Sequence, residues 1–195
     1  GGVTDELALS FSAGINRRDG FITSLQAGVP DQDDRDRWNV RGQAFWEPTP
    51  DVSLRVIADY SEIDEICCSS PNVISGPVNG IVLDENNPFA RESVLIKAPT
   101  NDLEDGGISA HLDVDFAGFS LTSITAYRFN SLAASNPVGN SSVDTSTSVR
   151  DIDIRAFSQE LRLTSTSDGP FSWIAGGFFF DEEIESTDAL EYGPQ

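Results

Sequence analysis

The sequence predicts an all-β chain that forms part of a transmembrane antiparallel up-and-down β-barrel, about seven strands with short turns alternating with long loops. Three observations carry this. Apolar residues recur with a period of two. The periodic segments run to about ten residues, the length of a tilted strand crossing a bilayer, whereas strands of soluble proteins cluster near 5–6. The connections between them alternate long, short, long, short, long, short, the habit of an outer-membrane barrel with short inner turns and longer outer loops.

The first segment, Leu7 to Asn16, places Leu7, Leu9, Phe11, Ala13 and Ile15 on one face and small or polar residues on the other, because successive strand side chains point to opposite sides. Trp38 to Glu47 does the same, with Trp38, Val40, Gly42, Ala44 and Trp46 against Asn39, Arg41, Gln43 and Glu47; Phe45 breaks the rule. Val52 to Ser61 sets Leu54, Val56, Ala58 and Tyr60 against Ser53, Arg55, Asp59 and Ser61. In Ile108 to Phe116, five apolar residues alternate with Ser109, His111, Asp113 and Asp115. Phe119 to Arg128 has Phe119, Leu121 and Tyr127 on its apolar side, with Ile124 out of step. Ala156 to Ser165 sets Phe157, Leu161 and Leu163 against Ser158, Glu160, Arg162 and Thr164; Phe171 to Asp181 is apolar on both faces and reads as a strand from its aromatics. The long links are then residues 17–37, 62–106 and 129–154. The short ones are Pro48–Asp51, Ala117–Gly118 and Thr166–Pro170.

Aromatics fall near strand ends: Trp38, Trp46, Tyr60, Phe116, Phe119 and Trp173. Amphipathic rings prefer the headgroup level, so these six are the candidate membrane girdle.

Composition narrows the function. The 195 residues carry 12 Lys and Arg against 32 Asp and Glu, a formal charge of −20. That excludes a nucleic-acid binder that works by neutralising phosphates. No run of eighteen apolar residues exists, so no transmembrane helix is expected. Gly1-Gly2-Val3-Thr4 is not a signal peptide, and Met is absent even at position 1, so the chain reads as an internal segment. Two adjacent cysteines, Cys67 and Cys68, form neither a disulfide framework nor a zinc pattern. They are free to bond each other, to pair elsewhere or to stay reduced.

Chemistry-bearing clusters are few. His111, Asp113 and Asp115 share a face at i, i+2, i+4, and fit a wetted lumen wall better than a metal site. Asp31, Asp33, Asp34 and Asp36 crowd the first long link; they are weak candidates for a calcium-type metal site, lacking the glycine and closing glutamate of an EF-hand. Further carboxylates flank the later loops: Glu62, Asp64 and Glu65, then Asp102, Glu104 and Asp105, then Asp181, Glu182, Glu183 and Glu185. On an outer surface these would hold divalent ions or steer cations. One histidine inside a strand is a poor base for a triad, and no phosphate or dinucleotide fingerprint occurs, so neither an enzyme nor a cofactor is expected.

Several stretches resemble the barrels of TonB-dependent outer-membrane receptors. Phe157-Ser158-Gln159-Glu160-Leu161-Arg162-Leu163-Thr164-Ser165, a short turn, then Trp173-Ile174-Ala175-Gly176-Gly177-Phe178-Phe179-Phe180 look like two successive strands of that family. Arg18-Asp19-Gly20-Phe21, Asp36-Arg37-Trp38 with Arg41-Gly42, and Ser123-Ile124-Thr125-Ala126-Tyr127-Arg128 are similar to its early barrel. The resemblance implies that residues 1–195 are one partial barrel domain of a 22-stranded receptor, lacking the plug. It implies active uptake of a scarce solute such as a ferric siderophore across the outer membrane of a Gram-negative bacterium. The implied partners are outer-membrane lipid, the rest of the barrel and plug, and an inner-membrane energy-coupling complex reached through the plug. Two other readings share the period of two. A porin-like channel differs in having no plug. A soluble or surface-exposed all-β ligand-binding module, lectin- or adhesin-like, requires Leu9, Phe11, Val56 and Leu112 to lie in a closed core.

Overall fold

The computed structural model describes residues 1–69, 89–139, 142–167 and 170–193. Seven long strands form one antiparallel sheet: β1 (Leu7–Arg18), β3 (Arg35–Thr49), β4 (Val52–Glu65), β6 (Thr100–Phe116), β7 (Phe119–Pro137), β8 (Ser146–Ser165) and β9 (Ile174–Tyr192). Each pairs with the next in chain order, so the topology is an uninterrupted meander. Two short strands, β2 (Thr23–Ser24) and β5 (Glu92–Ser93), pair in parallel within the connections.

All seven expected strands exist, and they are longer than the periodicity suggested. The segment ending at Ser61 continues to Glu65, and the one starting at Ile108 begins at Thr100. The connection expected over residues 129–154 is mostly strand, since β7 runs to Pro137 and β8 starts at Ser146. The strand expected over Phe171–Asp181 starts at Ile174 and continues to Tyr192, so Asp181–Glu185 lies inside it rather than opening a loop. The strict alternation of loop lengths fails there: 138–145 and 166–173 are equal. The physical reason is that pairing outlasts amphipathicity. Ladder hydrogen bonds continue where both faces meet water, and there the apolar period fades while the strand does not.

One end of the sheet, the turn end, closes tightly. Pro50–Asp51 joins β3 to β4, and the register slips between Trp46 and Thr49, where Pro48 has no N–H to give the ladder. Ala117–Gly118 joins β6 to β7, with Gly118 at φ 102, a left-handed conformation that glycine takes without cost. Residues 1–6 fold back on β1: Gly2 bridges Ala8, and the Leu9 amide donates to the Gly1 carbonyl.

Among the described residues the sheet is a single layer without a core of its own. Most fully buried apolar side chains gather at the opposite, loop end, where Ile22, Val94, Leu95 and Cys67 pack with buried Gln32, Glu65 and Ser93. Phe11 is 74% exposed and Leu9 45%. Val56 and Leu112 are half-buried.

Candidate functional site: two faces of one wall

Register decides which residues share a face. Reading across the sheet, Leu9, Ala44, Val56, Ala110, Thr125, Gln159 and Phe179 form one row. Phe11, Gly42, Ala58, Ile108, Tyr127 and Phe157 form the next. Trp46, Leu54, Leu112 and Leu161 lie on the same side one row nearer the turns. This is the apolar face. Its few polar members satisfy one another: the Gln159 amide donates to the Ser123 hydroxyl at 3.1 Å, and the Thr125 hydroxyl donates to Gln159 Oε1. Apolar surroundings demand such pairing, since an unpartnered polar group there costs several kcal/mol.

Aromatics bound this face at both ends. Toward the loops, Trp38 packs on Tyr60 with ring centroids 5.1 Å apart, and Tyr60 lies 6.3 Å from Phe129. Toward the turns, Phe116 stacks on Phe119 at 4.8 Å. Trp46 is exposed on the apolar face near the β3–β4 turn. Trp173 precedes β9, its amide donating to Ser165 Oγ and its carbonyl accepting from the Ser165 amide. Along β6, Gly106 to Phe116 spans ten residue steps, about 33 Å at ~3.3 Å per residue. At a tilt of about 40° this projects to roughly 25 Å, the height of a barrel's lipid-facing band.

Phe129 fell inside the expected loop and was missed. It reaches Tyr60 across Gly106, where a Cβ would meet the Phe129 ring at 2.9 Å. A ring laid over a strand glycine shields its backbone, as in aromatic rescue. The signal was present as the Gly106-Gly107 doublet.

The other face is polar from β1 through most of β8. It is also the more shielded side: along β8, Ile152, Ile154, Ala156 and Ser158 are half-buried, whereas Asp151, Asp153, Arg155 and Phe157 are exposed. Here Gly107 mirrors its neighbour. Arg128 on β7 crosses β6 over Gly107 to reach Asp59 on β4 at 2.7 Å and Asp105 at 2.9 Å. Arg41 approaches Asp59 from β3 at 3.5 Å. Nearer the turns, His111 Nε2 lies 3.1 Å from Asp113, which accepts from the Thr122 hydroxyl. Asp115 is not part of this set; its amide donates to the Asp51 carbonyl. Ile124, the residue out of step, projects here beside His111 and Glu160.

At the loop end each of the four aspartates between residues 31 and 36 has its own partner. Asp31 accepts the Ser24 amide, Asp33 the Cys68 and Ser69 amides, Asp34 the Ile66 amide, and Asp36 the Arg17 guanidinium. Among the described residues no three His, Cys, Asp or Glu side chains gather as a metal-holding group. Glu65 is 1% exposed and bridges Arg35 and Arg37. Its hydrogen bond from Arg37 holds the carboxyl below its usual range, and desolvation works against this. The remaining carboxylates divide between the faces. Asp64 faces Asp102, and Glu62 faces Glu104, across β4 and β6 just above the aromatic row. Desolvation, then Asp64, pushes the Asp102 carboxyl up. Cys67 and Cys68 form a disulfide with each other.

No family model matches this chain, and no curated protein matches it. Among solved structures, the ferric yersiniabactin uptake receptor FyuA from Yersinia pestis is similar over 98% of this chain at a TM-score of 0.72 and 13% identity. The chain shares the fold of part of that receptor. It spans 29% of the receptor's length. At that identity the likeness is one of architecture: an all-β, antiparallel seven-stranded wall.

Proposed function

We propose that the chain is a stretch of barrel wall and outer loops in a TonB-dependent outer-membrane receptor, one that takes up a scarce solute such as a ferric siderophore. The observation that carries this is the exposed apolar face, about 25 Å tall by register and tilt, bounded by aromatics at both ends and covered by no second layer among the described residues. A soluble module would bury Leu9 and Phe11, and both are exposed. Hydrocarbon is the solvent that makes such a face stable. The fold shared with an uptake receptor supports the choice of receptor over plain pore.

In this reading the six aromatics and Phe129 form the girdles. The polar face lines a lumen holding the plug, and the loop end, with residues 19–34 and 89–99, faces outward to meet solute. The segment's share of transport is passive. It supplies wall, lining and capture surface, while energy from the inner-membrane complex enters through the plug. The edges of β1 and β9 continue into the rest of the barrel, because open edges in lipid are not tolerated. The test is to delete the full-length gene in its Gram-negative host and follow growth on single ferric siderophores under iron limitation, with fractionation of the tagged protein. Loss of growth on one siderophore and recovery in the outer membrane are expected. Recovery as a folded, detergent-independent soluble protein would overturn the reading.

A further inference from the structure

We propose that the Cys67–Cys68 disulfide is a thiol-exchange site whose reduction by a dithiol releases a clasp between the outer connections. The bond joins neighbours in sequence, so it closes no loop of the chain. What it constrains is the backbone between them, and Cys68 sits at φ 77, a conformation uncommon for residues other than glycine. Three amides at this point have dedicated acceptors. Ile66 N donates to Asp34 Oδ1 at 2.7 Å, and Cys68 N and Ser69 N converge on Asp33 Oδ1 at 2.8 and 3.2 Å. In return Asp33, itself at φ 60, donates its amide to the Ile66 carbonyl at 2.7 Å. The Ser69 hydroxyl then donates to Gln32 Oε1 at 2.8 Å, and the Ser93 hydroxyl donates to the same oxygen from β5 at 2.6 Å. The disulfide therefore presents three amides in the geometry that two carboxylates are placed to receive, and beside them the Ser69 hydroxyl that buried Gln32 accepts. It holds together two connections, the one before β3 and the one between β4 and β6, and ties the start of the latter to β5 near its end.

The two sulfurs are unequally placed, Cys68 on an exposed residue and Cys67 on one only 6% exposed. A dithiol thiolate attacks Cys68 Sγ. The sulfur–sulfur bond breaks with its electron pair leaving on Cys67 Sγ, which takes up a proton. The reagent's second sulfur then attacks the mixed disulfide and frees Cys68 as a thiol. Two electrons and two protons pass to the cysteines, and the reagent leaves as its cyclic disulfide. With the ring open, Cys68 relaxes from its left-handed conformation and the amide fan on Asp33 disperses.

The test uses the full-length protein isolated from the cells that make it. Iodoacetamide is applied before and after dithiothreitol, and the peptide holding both cysteines is weighed. Labelling only after reduction is expected; labelling without it overturns the proposal. Hydrogen exchange at Ile66, Cys68 and Ser69 is measured on the same samples. Reduction is expected to speed it at least tenfold while exchange in the sheet stays fixed. Unchanged exchange at those amides overturns the proposal even if the bond is reducible. Asp33→Ala removes the fan without touching sulfur, and reduction there should run about tenfold faster, given the worth of hydrogen bonds to a charged group. Equal rates would deny that the clasp guards the bond. A Cys67→Ser/Cys68→Ser protein should exchange fast from the start and ignore the dithiol. None of these readouts depends on uptake, so they stand or fall apart from the transport reading.

Discussion

Replacing Gly107 by alanine tests how the wall is built. Gly107 has ladder partners on both sides, Asp59 on β4 and Arg128 on β7. A Cβ there would press on the Tyr127 carbonyl and lie 2.7 Å from Arg128 Cδ. The backbone oxygen cannot step aside without spreading the β6–β7 ladder, and Arg128 cannot move without leaving Asp59. Overpacking of this kind costs about 1–3 kcal/mol. The contacts to Asp59 and Asp105 add about 0.2–1 kcal/mol each, the range for half-exposed pairs screened by water. The expected loss is therefore roughly 1.5–5 kcal/mol, read as urea stability of the full-length protein refolded into lipid vesicles. A double-mutant cycle with Arg128→Ala isolates the crossing. Removing the long side chain should recover about 1 kcal/mol of the Gly107→Ala penalty. A loss below about 0.5 kcal/mol, or strict additivity in the cycle, would refute the idea that the glycine exists to let an arginine across.

Three other outcomes follow from the same geometry. Ala110→Arg, mid-height on the apolar face, should cost about 2–4 kcal/mol in vesicles, while Ser109→Arg one residue away on the polar face costs under about 1; equal costs would place both faces in the same medium. Because the folded Glu65 carboxyl is depressed, its contribution is present above its unfolded pKa near 4.5 and is lost as pH falls through the lower folded value. Glu65→Ala, which leaves two partly hydrated guanidiniums facing each other, should cost about 1–2 kcal/mol at pH 7 and progressively less in acid, and urea titrations at several pH values check this. Asp102 is shifted the other way, so ionisation opposes folding; Asp102→Asn should stabilise by about 0.2–1 kcal/mol at pH 7 and by nothing below pH 3. A destabilised Asp102→Asn would contradict the like-charge placement opposite Asp64.

The legible parts of this protein are those where one strand face is apolar and the other wet. Ile108–Phe116 and Leu7–Asn16 were readable because alternation reports that difference directly. Ser146–Ile154 was read as loop although Val149, Ile152 and Ile154 sit in a well-paired strand. Both faces there are bordered by charge, so the period carries little contrast. The same holds for β9 beyond Asp181. The six aromatics were picked out from sequence as a candidate girdle because rings fall near strand ends. Phe129 was not, since its partner Tyr60 lies two strands away across Gly106. The acidic group at Asp31–Asp36 was visible as charge, but nothing in its spacing reveals that each carboxylate holds a different amide or arginine.

By itself the sequence determined the strand class, the number of long strands and which residues alternate, since these depend only on side-chain order along an extended chain. Tertiary structure decided which alternations line up into one face, that Gly106 and Gly107 are saddles for a ring and a guanidinium, and that two adjacent cysteines close on each other beside Asp33. Those outcomes rest on register and on contacts between distant segments. A one-residue slip would exchange the two faces of any strand while leaving its sequence untouched.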